Sequence, residues 1–252
     1  MQNSIKTSML ILVATTISCN TMKSTPSEVK KQQDDSQVYF KANGTEPFWG
    51  LTISEKQIKL FTVQDTIVMP HQKPIQAMDS NVKLYKLKSD TDEMSVQIIQ
   101  TECTNDMSGE KFPYTISINY KKNKELVMHQ LKGCGKYNTD YRLNDLWVLE
   151  KLNGKEMEKS FFKDNLPSLE INSETNSFSG FAGCNGMSGQ LFYEKELLRF
   201  TKIITTMMYC GDTNKEREFL KALNSATKYT IENNRLTLSN PSKELMVFKK
   251  ID

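Results

Sequence analysis

Tyr114-Thr115-Ile116-Ser117-Ile118-Asn119-Tyr120 alternates an apolar with a polar side chain at every step. Successive side chains of a strand point to opposite faces, so this run lays Tyr114, Ile116, Ile118 and Tyr120 against a core and leaves the other face to water. Moving outward, short runs rich in β-branched and aromatic residues recur between turn signals. They are Val38–Ala42, Phe48–Ile53, Gln57–Val63, Val82–Leu87, Ser95–Gln100 and Glu125–Leu131. Nothing between 38 and 140 sustains helical spacing with caps. This half reads as an all-β meander, closed or curled so that its edges are hidden.

A polar stretch, 138–144, marks a boundary, and a new rhythm follows it. Leu146–Leu152 reads as a strand leading into Asn153-Gly154, a hairpin signal. Further strands are expected at Ser168–Asn172, Ser177–Ala182, Gly189–Tyr193 and Leu197–Ile204. One helix is expected over 213–226: Thr213 and Glu216 have capping-box spacing, and Phe219, Leu220, Leu223 and Ala226 share a face. A hairpin, Lys228–Ile231 and Arg235–Leu238 across Asn233-Asn234, and a last strand, Leu245–Lys249, complete the chain. The fold class is therefore mainly β with one notable α-helix, arranged as two small β-rich domains in tandem, 38–140 and 144–252.

The 252 residues are 38% hydrophobic and 25% charged, ordinary globular usage, and the net charge of +3 is too balanced for a nucleic-acid grip. The first 18 residues combine one charge, Lys6, with the apolar run Met9-Leu10-Ile11-Leu12-Val13-Ala14. Small residues then lead to Cys19. These are the parts of a secretory signal peptide, and a cysteine at the cut resembles the bacterial lipobox, with Thr16 standing where Leu is usual. The expectation is a lipoprotein signal peptide over 1–18 and acylation of Cys19. Residues 19–37, which lack Phe, Trp, Tyr, Leu and Ile, then form a flexible tether. The protein is expected in the bacterial cell envelope, on the periplasmic face of the outer membrane. Its partner there is the membrane, through the N-terminal lipid, and it is expected to be a monomer whose protein or small-molecule partner the sequence does not name.

Four segments then appear in order: Leu146-Trp147-Val148-Leu149, Gly180-Phe181-Ala182-Gly183-Cys184-Asn185, Thr205-Thr206-Met207-Met208-Tyr209-Cys210 and Glu218-Phe219-Leu220-Lys221-Ala222-Leu223. Together they resemble the META domain of small bacterial heat-shock proteins of the HslJ type, over about 144–252. Its motif falls on Gly183, Cys184, Asn185, Thr206, Met208 and Cys210. The resemblance implies a compact β domain with one helix in envelope proteins. In the first half, Gly44-Thr45-Glu46-Pro47-Phe48-Trp49, the stretch from Cys103 to Tyr114 and Gly133-Cys134-Gly135 resemble an uncharacterised lipoprotein domain often joined to META domains. They resemble more loosely the copper-response lipoproteins of the NlpE type, whose Cys-x-x-Cys is missing here.

With Cys19 given to lipid, four cysteines remain. Export and the boundary near 140 favour the pairs Cys103–Cys134 and Cys184–Cys210, each closing a loop of about 27–32 residues and contributing roughly 3–4 kcal/mol in the chain-entropy treatment. A four-cysteine metal site is the alternative, though no close cysteine pair supports it. Glu46-Pro47-Phe48-Trp49 reads either as a ligand edge or as a turn before two core aromatics. Trp147 reads as core, and Asn185 either lines a pocket or satisfies backbone groups in a turn. Met69, His71 and Met78 offer soft copper ligands; gap-filling thioethers account for most of the 13 methionines otherwise. No Gly-x-Ser-x-Gly elbow, phosphate loop or His-Glu-x-x-His is present, so no catalytic residue, no enzymatic activity and no cofactor is expected.

Overall fold

The computed structural model describes residues 38–251 apart from 124, 164 and 212. Cys19, the signal segment 1–18 and the tether 19–37 lie outside the described residues. The first half is one nine-stranded antiparallel sheet. Its strands are β1 (Val38–Thr45), β2 (Phe48–Ser54), β3 (Gln57–Thr62), β4 (Thr66–Pro70), β5 (Ile75–Gln76), β6 (Val82–Lys88), β7 (Glu93–Ile99), β10 (Tyr114–Lys121) and β11 (His129–Tyr137). A separate two-stranded ribbon joins β8 (Cys103–Thr104) to β9 (Lys111–Phe112). The sheet order is β4-β3-β2-β1-β11-β10-β7-β6-β5. The alternation that opened the sequence reading holds: Tyr114, Ile116 and Ile118 are buried, beside Val96 and Ile98 of β7.

Trp49 organises this half. It is 0% exposed and its indole N–H donates to the Lys132 carbonyl at 3.2 Å. A Cβ at Gly44 would lie 2.2 Å from the indole nitrogen, and one at Gly133 only 2.1 Å from the Asn43 carbonyl oxygen. Gly44, opposite Trp49 on β1, and Gly133, beside Cys134, thus mark where the chain must come close around a buried indole. Phe48 departs from expectation. It is 55% exposed and packs on Phe61 at 6.2 Å, outside the core, because neighbouring strand residues face opposite ways and Trp49 takes the inward place.

The second half forms another nine-stranded antiparallel sheet: β12 (Leu146–Leu152), β13 (Lys155–Glu156), β14 (Ser168–Asn172), β15 (Ser177–Phe181), β16 (Gly186–Glu194), β17 (Leu197–Thr205), β18 (Lys228–Glu232), β19 (Arg235–Ser239) and β20 (Glu244–Lys250). Pairing of β12 with β20 closes it into a barrel, which removes the open edges. Helix α1 (Glu216–Ser225) packs Phe219, Ala222 and Leu223 into the barrel core together with Trp147 and Phe248. Asn153 and Gly154 both have positive φ, as the β12–β13 hairpin requires. Each sheet has its own apolar core, and both lie in one compact unit.

Several details differ from the sequence expectation. The strand expected over Glu125–Leu131 begins only at His129, since residues 125–128 are taken up by the loop from β10. Strand β4 was not anticipated, because Thr66–Pro70 is short and ends in proline. The helix begins at Glu216 without a capping box: Lys215 is the N-cap and makes no side-chain cap bond. Asn214 instead accepts from the Glu216 N–H at 2.8 Å, which frees the Glu216 carboxylate for another partner.

Candidate functional site

The motif residues of the second half converge on one side chain. Asn185 is 3% exposed and sits between β15 and β16. Its Oδ1 accepts from the Met208 N–H at 2.7 Å and from the Thr206 hydroxyl at 2.8 Å. Its Nδ2 donates to the Met208 carbonyl at 3.2 Å and to Glu216 Oε1 at 2.8 Å, while its backbone N–H donates to Glu216 Oε2 at 2.6 Å. Asn185 therefore copies a strand partner for Met208 and pins the start of α1. Cys184 is bonded to Cys210 beside it, with Cα atoms 5.8 Å apart. Gly183 has φ +110°, and a Cβ there would fall 2.2 Å from the Phe162 ring. These residues form a clasp that satisfies backbone groups of the neighbouring loop.

Cys103 is bonded to Cys134, Cα to Cα 5.5 Å, which ties the small ribbon to β11. Trp49 sits within its core. Met207 is 97% exposed and Met208 is exposed as well, so neither fills a gap in packing. Of the copper candidates, Met69 is buried in the first core, while His71 and the fully exposed Met78 both line a cleft.

The cleft is where the two sheets meet. It encloses about 820 Å³ and is lined from the first half by Tyr39, His71, Lys83 and Tyr85, and from the second by Glu194, Lys195 and Lys228. At its base Glu194, 8% exposed, reaches from the end of β16 into the first half. Lys83 Nζ lies 2.7 Å from one carboxylate oxygen, and Asn81 Nδ2 donates to the other at 2.7 Å. The Tyr114 hydroxyl donates to that same oxygen. Lys195 stands with its ammonium 4.9 Å from the Tyr39 ring centroid and 3.1 Å from Glu55. Sequence reading missed this cluster, because Tyr193-Glu194-Lys195-Glu196 looks like any solvated turn.

The phenols here are hydrogen-bonding groups and not latent bases. Burial first, then the hydrogen bonds and charges of Tyr85 and Glu194 respectively, pushes Tyr39 and Tyr114 far above the ordinary phenol range. Tyr39 also meets His71 Nε2 at 2.8 Å and the Tyr85 hydroxyl at 3.2 Å. Burial, with Lys195 adding to it and Glu55 opposing, holds the His71 imidazole below its ordinary range. As pH falls, the unfolded chain therefore takes up this proton before the folded chain does. The contribution of His71 is full above the unfolded value of about 6.5 and is lost as pH falls through the folded one. His71→Gln is expected to flatten the dependence of the urea midpoint on pH below about 6.5, and an unchanged slope would count against this account.

Comparison with known proteins places a family on one half of this architecture. Residues 142–252 match the META domain. A protein with an NMR structure is 24% identical to the chain, over 43% of this chain and 90% of that one, with a TM-score of 0.35. An NMR structure of a protein from Burkholderia xenovorans is 20% identical, over 44% of this chain and 85% of that one, with a TM-score of 0.36. No curated protein matches the chain.

Proposed function

We propose that this META-domain protein is a non-enzymatic, lipid-anchored binding module of the bacterial cell envelope, acting in stress tolerance or scaffolding. Its two β-rich domains, 38–140 and 144–252, would be tethered by 19–37 to an acylated Cys19 at the periplasmic face of the outer membrane. The observation that carries the reading is the cleft between the sheets. Its walls hold neutral phenols, an imidazole, lysines and a carboxylate, which suits recognition of a small polar ligand by hydrogen bonds. The signal-peptide pattern and the lipoprotein resemblance of the first half support the address. Met69 is buried in the first core and does not line the cleft that His71 and Met78 share, which weighs against a copper site built from all three.

Two measurements test the proposal. A fatty-acid analogue fed to cells is expected to label the protein and to leave Cys19→Ala unlabelled; equal labelling of the variant would sink the anchor. Native mass spectrometry of protein extracted from its own envelope is expected to show a bound small molecule. Ser80→Trp, which places an indole in the cleft from an exposed position, should lose it. A chain that carries no adduct, or the same adduct in Ser80→Trp, would refute the cleft as the binding site.

A further inference from the structure

We propose that Cys184, Cys210 and Glu216 make a redox-gated site for a thiophilic divalent cation of the zinc class, closed while the two sulfurs are bonded and opened by a dithiol reductant. The ligand atoms of these three residues all lie within 4.8 Å of one another, and among the described residues this is the cluster that unites three such groups. They arrive from three places: the turn after β15, the loop after β17 and the first turn of α1. Both Glu216 oxygens stand near the Cys210 sulfur, at 3.9 and 4.0 Å. A tetrahedral zinc site takes thiolates at about 2.3 Å and carboxylate oxygen at about 2.0–2.2 Å, so the sulfurs need only part to about 3.7 Å around a shared ion. The fourth position is left to water.

The site does not depend on the disulfide for its shape. Asn185 holds the Met208 backbone at both its N–H and its carbonyl, and holds both Glu216 oxygens. Removing the sulfur–sulfur bond therefore leaves the three chain segments tied. Those bonds to Glu216 also play the part of outer-shell partners, fixing the direction of the carboxylate. Cys184 is buried and Cys210 is half-buried, so approach is from the Cys210 side.

The opening step balances. One thiolate of the reductant attacks the Cys210 sulfur, forming a mixed disulfide and releasing Cys184 as thiolate. The second reductant thiol resolves it, leaving the reductant as a disulfide and Cys210 as thiolate. Two electrons have passed to the cysteine pair. The thiolate is the ligand form, so the cation takes both sulfurs without protons and its charge offsets the negative groups gathered around it.

Cobalt(II) as the probe makes the test optical. In the chain carrying Cys19→Ser, Cys103→Ser and Cys134→Ser, cobalt is expected to give thiolate charge-transfer absorption at one equivalent after treatment with a dithiol, and none before it. The chain carrying Cys19→Ser, Cys184→Ser and Cys210→Ser should give none in either state. Absence of the band in the first chain, or an equal band in the second, overturns the site. Glu216→Gln in the first chain should keep the band but weaken affinity by about 100-fold, at least the loss typical of an outer-shell partner. Unchanged affinity would remove Glu216 from the ligand set and with it the proposal. Circular dichroism of the reduced chain before cobalt is added should retain the native β signal, and its loss would overturn a preformed site.

Discussion

Glu194→Ala is expected to destabilise the folded chain by about 3–5 kcal/mol, the cost of leaving one partner of a buried ion pair without the other. The side chains of Lys83 and Glu194 are 13% and 6% exposed, so little water is available to replace the lost carboxylate. Asn81 and Tyr114 lose their acceptor in the same step. A domain's net stability is only about 5–15 kcal/mol, so the loss takes a large share of it. The two halves are joined at this point, so the urea transition is also expected to split, with tryptophans 49 and 147 reporting separate midpoints. The double variant Lys83→Met/Glu194→Leu should recover part of the loss, because the uncompensated lysine charge goes too while Asn81 and Tyr114 still lack their acceptor. A shift below about 1 kcal/mol for Glu194→Ala would mean that solvent reaches the base of the cleft.

Asn185→Leu should cost about 3–4 kcal/mol. Leucine fills the volume but leaves the Met208 N–H and carbonyl and the Glu216 carboxylate short of partners, and each unsatisfied buried group costs about 1–3 kcal/mol. The loop over 206–211 would then be held mainly by the Cys184–Cys210 bond. Limited proteolysis should accordingly cut at the exposed segment Met207–Tyr209 in Asn185→Leu much faster than in the native chain. Asn185→Asp offers the contrast: it keeps the acceptor for Met208 but sets a second carboxylate against Glu216. It should therefore recover stability on acidification while Asn185→Leu does not. Equal cutting in native and Asn185→Leu chains would show that the clasp does not restrain the loop.

Much of the fold was legible because strands announce themselves locally. Ile116 and Ile118 alternate with Ser117 and Asn119, and only a strand buries such a pair on one face. Leu146–Leu152 and Ser168–Asn172 were bounded to the residue, since Asn153-Gly154 and flanking polar residues stop them cleanly. The capping box at Thr213 and Glu216 failed for a reason the local pattern cannot hold. The carboxylate has a stronger partner 31 residues away in Asn185. Of the two readings open for Glu46-Pro47-Phe48-Trp49, the one with two core aromatics holds for Trp49 alone, because the pleat turns Phe48 to the other face. The boundary of the strand after residue 124 was missed because Leu126 and Val127 are apolar yet lie exposed in a loop.

By itself the sequence determined the mainly β class, the two β-rich halves, the helix near the C-terminus and the META motif, all of which depend on residue type at short spacing. The tertiary structure alone decided what the motif residues do. Asn185 meets Glu216 and Met208 only after β15, β17 and α1 have packed, and Glu194 meets Lys83 only where the two sheets touch. The physical reason is that a hydrogen bond or an ion pair between distant segments leaves no periodicity in the chain. Its two ends are ordinary polar residues until burial removes the water that would otherwise satisfy them.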